Sequence, residues 1–276
     1  MRKSFTRLSV MLMLTILVFT SVPLFSEGTS ETNDTNSQAT RTEAYSGETS
    51  LGPAIIASTS WVAAIIESSG AQNVTTLAPN TLKHPPEYDF SPSDIIRATK
   101  ADLLFWAGYE GFMNELFTAA EIDDSRIVRV NTGYTVELLS ENIRRISPLF
   151  GTSEEGEQQI EQIEQLFSTL KEKVSQLSEE ERSVIVQFHQ KPFIEELGYT
   201  VVATVGPGDL SIGDVKAIED LSFSLIIDNY HSPGAQTFEN EGRKYIQLIN
   251  FPGPFDTDSV ISVIEYNAKM LGLLDT

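Results

Sequence analysis

The chain has 276 residues, 41% of them hydrophobic and 21% charged, an ordinary globular balance with room for two modest α/β lobes. Nineteen basic residues against 39 acidic ones give a net charge of −20, which excludes nucleic acid as a partner because phosphate binding requires a basic face. Cysteine is absent, so disulfides, thiolate metal sites and a cysteine nucleophile are excluded, and any transition-metal chemistry must rest on imidazole and carboxylate.

The chain opens with "MRKSFTRLSVMLMLTILVFTSVPLFSEG". Arg2, Lys3 and Arg7 precede an apolar run from about Leu8 to Phe25, the order of an export signal over residues 1–26. Retention of that run as an N-terminal anchor is the second reading. No cysteine follows it, so lipid attachment is excluded and the protein is expected to be exported, periplasmic or at the cell surface. Residues 27–51, rich in Ser, Thr and Glu, have almost nothing to bury and read as a disordered linker.

From Gly52 the pattern alternates. Short apolar runs at 54–58, 73–78, 102–107 and 126–130 predict strands, and the stretches 61–70, 91–100, 110–121 and 135–146 predict helices. This alternation predicts a parallel sheet covered on both faces, an N-terminal α/β lobe over 52–150. Residues 154–183 place Ile160, Ile163, Leu166, Phe167, Leu170, Val174 and Leu177 at steps of three and four, which predicts one long amphipathic helix. With α/β text on either side, it reads as a bridge over 151–183 between two lobes. The alternation then resumes over 184–276: strands at 183–188, 199–205, 223–228 and 245–249, and helices at 190–197, 211–220, 233–241 and 258–274. The fold class is α/β, two parallel-sheet lobes on one long backbone helix, with the ligand cleft between them.

The chain has three histidines, and each falls at or beyond a predicted strand end. His84 lies in "LKHPPEYDFSPSDI" after the strand at 73–78, His189 directly follows "SVIVQF", and His231 follows "FSLIIDNY". Ligands of open parallel sheets collect outside the carboxyl ends of strands, so imidazoles from both lobes are candidate metal ligands. Glu110, in "WAGYEGF" after a strand, and Asp228, which ends one, are candidate carboxylate ligands by position, with Asp256 a further alternative. Three imidazoles and one carboxylate or water suit tetrahedral zinc, whereas Mn²⁺ calls for more oxygen.

"HPPEYDFSPSDIIRATKADLLFWAGYE", "RSVIVQFHQKPFIEELGYTVVATVGP" and "VISVIEYNAKMLGLL" together resemble the metal-specific (zinc/manganese) substrate-binding proteins of ABC importers, over roughly 52–274. The resemblance implies two α/β lobes on a rigid helix, one divalent cation between them, and delivery to a membrane permease by a monomeric receptor. On its motifs His84 and His189 correspond to ligands. The chain departs from the family in two places. "NTGYT" (131–135) lacks the histidine of an "NPH" turn, and Asn250 stands about where a late carboxylate ligand is found. His231 is then the residue to compensate.

The first alternative is a receptor for a larger metal chelate, haem or corrinoid on the same plan, with Trp106, Tyr109, Tyr230 and Phe251 lining a wider pocket. An enzyme is not expected. No HExxH or GxSxG is present, and "GPGDLSIGD" (206–214) lacks the Lys-Ser/Thr of a phosphate loop. No organic cofactor is expected either. The last alternative is a surface adhesin without a tight ligand.

Overall fold

The computed structural model describes residues 52–206, 210–241 and 244–275. The export segment 1–26 and the linker 27–51 lie outside the described residues. The first sheet is built from β1 (Ile55–Ala57), β2 (Thr75–Thr76), β3 (Leu103–Trp106) and β4 (Ile127–Arg129), in the order β2-β1-β3-β4. The second is built from β5 (Ser183–Gln187), β6 (Thr200–Val205), β7 (Leu225–Asn229) and β8 (Lys244–Leu248), in the order β6-β5-β7-β8. Every pairing is parallel, with Ile56 opposite Leu104 in one sheet and Ile185 opposite Ile226 in the other. Of the central strands, β1, β5 and β7 read IIA, SVIVQ and LIIDN and are buried along almost their whole length, because helices cover both faces. The expected fold class is the observed one.

Helix starts follow local chemistry. In α1 (Ser60–Glu67) the Thr59 side chain accepts from Val62 N–H; in α2 (Pro92–Lys100) Ser91 and Asp94 form a reciprocal cap with proline in the first turn. The first lobe continues with α3 (Gly111–Ala119) and α4 (Val136–Ile146), the latter capped by Thr135. The predicted long helix forms, but in two pieces: α5 (Ser153–Ser175) and the single turn α6 (Glu179–Arg182). The break has a local cause. Ser178 and Glu181 form a second capping box, which starts a new helix rather than continuing the old one.

In α5 the buried side chains are Ile160, Ile163, Phe167, Leu170 and Val174, all from the predicted stripe. Each contributes about 1.5–3 kcal/mol by burial. They enter a hydrophobic cluster that runs through both lobes, from Ile55, Phe105 and Leu139 to Val186, Phe193 and Val263. Phe167 meets Phe193 of α7 (Lys191–Leu197) edge to face at 5.9 Å. After α8 (Ile212–Glu219), the terminal helix α9 (Val260–Met270) packs on both β8 and α1, so it ties the second lobe back to the first.

Two further contacts cross this seam. Ser60 Oγ donates to the Pro252 carbonyl at 2.8 Å, and Gly253, at φ +130°, sits so close to Asn80 that a Cβ would fall 2.6 Å from its carbonyl oxygen. Two smaller clusters lie under the outer face of each sheet, around Leu104, Phe112 and Met113 and around Ile185, Ile226 and Phe238.

Other differences from the sequence reading are local. The strand expected at 73–78 shrinks to Thr75–Thr76, an edge strand paired only with β1. The helix expected at 233–241 is a 3₁₀ segment, Gln236–Glu241. There the Asp228 carboxylate collects the N–H groups of Gly234 and Ala235 and holds the chain in a loop.

Candidate metal centre

In each sheet the strand order reverses between the two central strands, at β1/β3 and at β5/β7, which is where a crevice opens at the carboxyl ends. His189 stands in the turn after β5, and His231 two residues beyond β7, at the switch point of the second sheet. His84 comes from the first lobe, capping the 3₁₀ turn Pro85–Glu87. All three line one cavity of about 530 Å³, together with Trp61, Tyr134 and Phe251.

The three imidazoles are not equivalent. His84 is half exposed, and its Nδ1 lies 3.3 Å from Glu87 Oε1, a contact that engages Nδ1 and not Nε2. His189 is exposed at the cavity wall, edge to face with Phe188; burial first, and His84 second, hold its pKa below the ordinary imidazole value. His231 is buried. Its Nδ1 accepts the Asn250 backbone N–H at 3.3 Å, which assigns the ring proton to Nε2, and that nitrogen is buried with no partner. Burial, then the charges of Lys83 and His84, push its pKa down to about 3. In this tautomer neither ring nitrogen of His231 presents a free lone pair: Nδ1 is taken by Asn250 N–H and Nε2 carries the proton.

A ring stack forms the floor. Tyr134 stacks on Trp61 at 5.7 Å, Trp61 meets Phe251 at 6.2 Å, and Phe251 lies 3.6 Å over the His231 ring. The stack therefore passes from the first lobe to the second. Asn267 of α9 fixes its far end by donating to and accepting from the backbone of Ile249, next to Asn250 and Phe251. Asn250 itself lines the cavity and accepts from Gln190 Nε2 at 2.6 Å.

The structure does not bring the two carboxylates to the histidines. Glu110 is fully buried, accepting from Ser58 Oγ at 2.6 Å and from the N–H groups of Ala107 and Tyr109. It ties the loop after β3 to the end of β1. Asp228 is equally buried, accepting from the N–H groups of Asn229, Gly234 and Ala235 and from the Tyr245 hydroxyl. Neither lines the cavity, because main-chain donors at the strand ends claim both carboxylates first. Asp256 is exposed, with a φ of 56°, and does not line the cavity either. Among the described residues, no group of three or more His, Cys, Asp or Glu side chains is set to hold an ion.

Of the aromatics expected in a wider pocket, Tyr109 and Phe251 line the cavity, whereas Trp106 packs edge to face on Phe117 away from it. Tyr230 packs against the His231 and Phe255 rings. Trp61, Tyr134, Lys83 and Lys191 are cavity residues that sequence reasoning missed. The signal available for Trp61 was its place in the first turn of α1, just past the carboxyl end of β1.

The fold is shared with periplasmic metal-binding proteins. A Mn-bound periplasmic metal binding protein from candidatus liberibacter asiaticus superposes with a TM-score of 0.61 at 16% identity, covering 81% of this chain and 100% of that one. The laminin-binding protein Lbp of Streptococcus pyogenes gives 0.59 at 13% identity over 80% and 99% of the two chains. The laminin-binding adhesin Lmb of Streptococcus agalactiae, in a mutant structure, gives 0.62 at 12% identity over 81% and 100%. No protein-family model and no curated protein sequence matches this chain.

Proposed function

We propose that this protein is an extracytoplasmic solute-binding protein that captures a divalent transition metal between its lobes and delivers it to the membrane permease of an ABC importer. The observation that carries this reading is the arrival of His84 from the first lobe and His189 from the second in one cavity at the strand carboxyl ends. A cation bridging those two imidazoles would be held by both lobes at once. The shared fold with periplasmic metal-binding proteins supports the reading. The lobes share one apolar core, so capture relies on local movement of the His84 and His189 loops rather than on swinging of whole lobes.

The donors favour zinc over manganese. They are imidazole nitrogens, and the one carboxylate among the cavity residues is Glu195. Manganese, with its preference for oxygen, has too few partners here. His231 supports the site as a hydrogen-bond donor in this reading, while Glu110 and Asp228 brace the loops that carry it. Residues 1–26 direct export, and the receptor acts as a monomer.

Elemental analysis of the natively purified protein, followed by calorimetric titration with Zn²⁺ and Mn²⁺, tests the proposal. Zinc is expected to co-purify and to bind more tightly, and His189→Ala to weaken it about 100-fold or more. A metal-free protein that His189→Ala leaves unchanged toward both ions would overturn it.

A further inference from the structure

The chain carries a net charge of −20, yet its cleft has the opposite bias. The cavity is lined by Lys83 and Lys191 against the single carboxylate of Glu195, and Lys191 Nζ lies 3.7 Å from that carboxylate. Lys83 has no ion-pair partner among the described residues; its Nζ stands 5.0 Å over the Tyr230 ring. A bare dication brought to this wall meets an uncompensated positive charge.

Size and polarity point the same way. A dication with six waters fills roughly 180 Å³ at about 30 Å³ per water. The cavity holds about 530 Å³, within the range of organic-ligand pockets. Its walls include six aromatic residues, Trp61, Tyr109, Tyr134, Phe188, Phe193 and Phe251. Tyr109 and Phe188, from opposite lobes, both line it and are 52% and 58% exposed overall. The aromatic part of the wall offers a hydration shell nothing in exchange for its water.

We infer that the cargo enters this cleft not as a hydrated ion but as an anionic complex of a divalent metal with a small, carboxylate-bearing organic chelator. The inference rests on the metal-receptor reading above and names the form of its cargo. His84 and His189 take coordination positions that the chelator leaves to water, displacing that water. Lys83 pairs with a carboxylate, and the aromatic walls cover the carbon skeleton.

Calorimetric titration of the untagged full chain tests this with three probes: Zn²⁺ alone, the singly negative equimolar complex of Zn²⁺ with nitrilotriacetate, and nitrilotriacetate alone. The complex is expected to bind roughly tenfold more tightly than Zn²⁺. Lys83→Gln, at an exposed position, is expected to weaken the complex roughly tenfold while leaving Zn²⁺ unchanged or tighter. His189→Ala is expected to weaken both. Zn²⁺ binding as tightly as the complex, or a complex indifferent to Lys83→Gln, would overturn the chelate inference and leave a receptor for the bare ion. Metal-free nitrilotriacetate binding as well as its zinc complex, or no binding of any probe, would remove the metal reading and this inference with it.

Discussion

Asp228 is the position at which a ligand role and a bracing role part most cleanly. Its carboxylate accepts from Asn229 N–H at 2.8 Å, Gly234 N–H at 2.9 Å, Ala235 N–H at 3.0 Å and the Tyr245 hydroxyl at 2.7 Å. All four bonds involve a charged acceptor in a buried place, each worth about 1.5–3 kcal/mol in isolation. They share one group and are not additive. Asp228→Ala orphans three backbone donors and a hydroxyl, which we expect to cost about 3–5 kcal/mol, the range for breaking a buried charged network. Against an unfolding slope of roughly 2–3 kcal/mol/M, that moves the urea midpoint down by about 1–2 M. Asp228→Asn keeps one acceptor oxygen and is expected to cost about half as much. Urea unfolding followed by far-ultraviolet dichroism measures the shift, and calorimetric zinc titration of the still-folded variant measures the site. The bracing role requires a large loss of stability with zinc affinity falling far less than in His189→Ala. An Asp228→Ala protein that unfolds at the wild-type midpoint yet no longer binds zinc would refute the reasoning and return Asp228 to the ligand set.

His189 is exposed, so His189→Ala is expected to leave the unfolding free energy within about 0.5 kcal/mol of wild type while abolishing tight zinc binding; the same two assays check this. His231 contributes a distinct pH dependence. Its folded pKa of about 3, set by burial and by Lys83 and His84, lies below the ordinary 6.5, so the unfolded chain binds the extra proton in that window. Its contribution to stability is therefore complete above about pH 6.5 and lost as pH falls toward 3, by up to about 1.4 kcal/mol per unit. Unfolding free energies at pH 7 and pH 5 should fall by about 2 kcal/mol more in the wild type than in His231→Phe, which keeps the stack on Phe251; equal falls would dismiss the effect. Gly253→Ala drives a Cβ into the Asn80 carbonyl at a positive φ, and is expected to cost about 2–4 kcal/mol in the same unfolding assay by forcing the lobes apart at their seam.

The sequence by itself determined the architecture. Apolar runs such as "SVIVQF" and "FSLIID", alternating with 3.6-period stretches, specify parallel sheets under helices, and the stripe from Ile160 to Val174 specifies the backbone helix. Strand carboxyl ends are readable from those runs, which is why all three histidines could be placed at the crevice in advance. What a side chain does there was decided by the tertiary structure. Glu110 and Asp228 stand at the right strand ends, but whether a carboxylate faces a ligand or satisfies its own loop depends on which backbone N–H groups the fold leaves unpaired nearby. The tautomer of His231 depends on Asn250, brought beside it by the pairing of β7 with β8. The ring stack from Tyr134 to His231 joins residues almost a hundred positions apart, and Lys83 reaches Tyr230 across the lobes. Periodicity reports which way a local segment faces; it carries no information on which distant segment it will face, and the character of the cleft is made of those distant pairings.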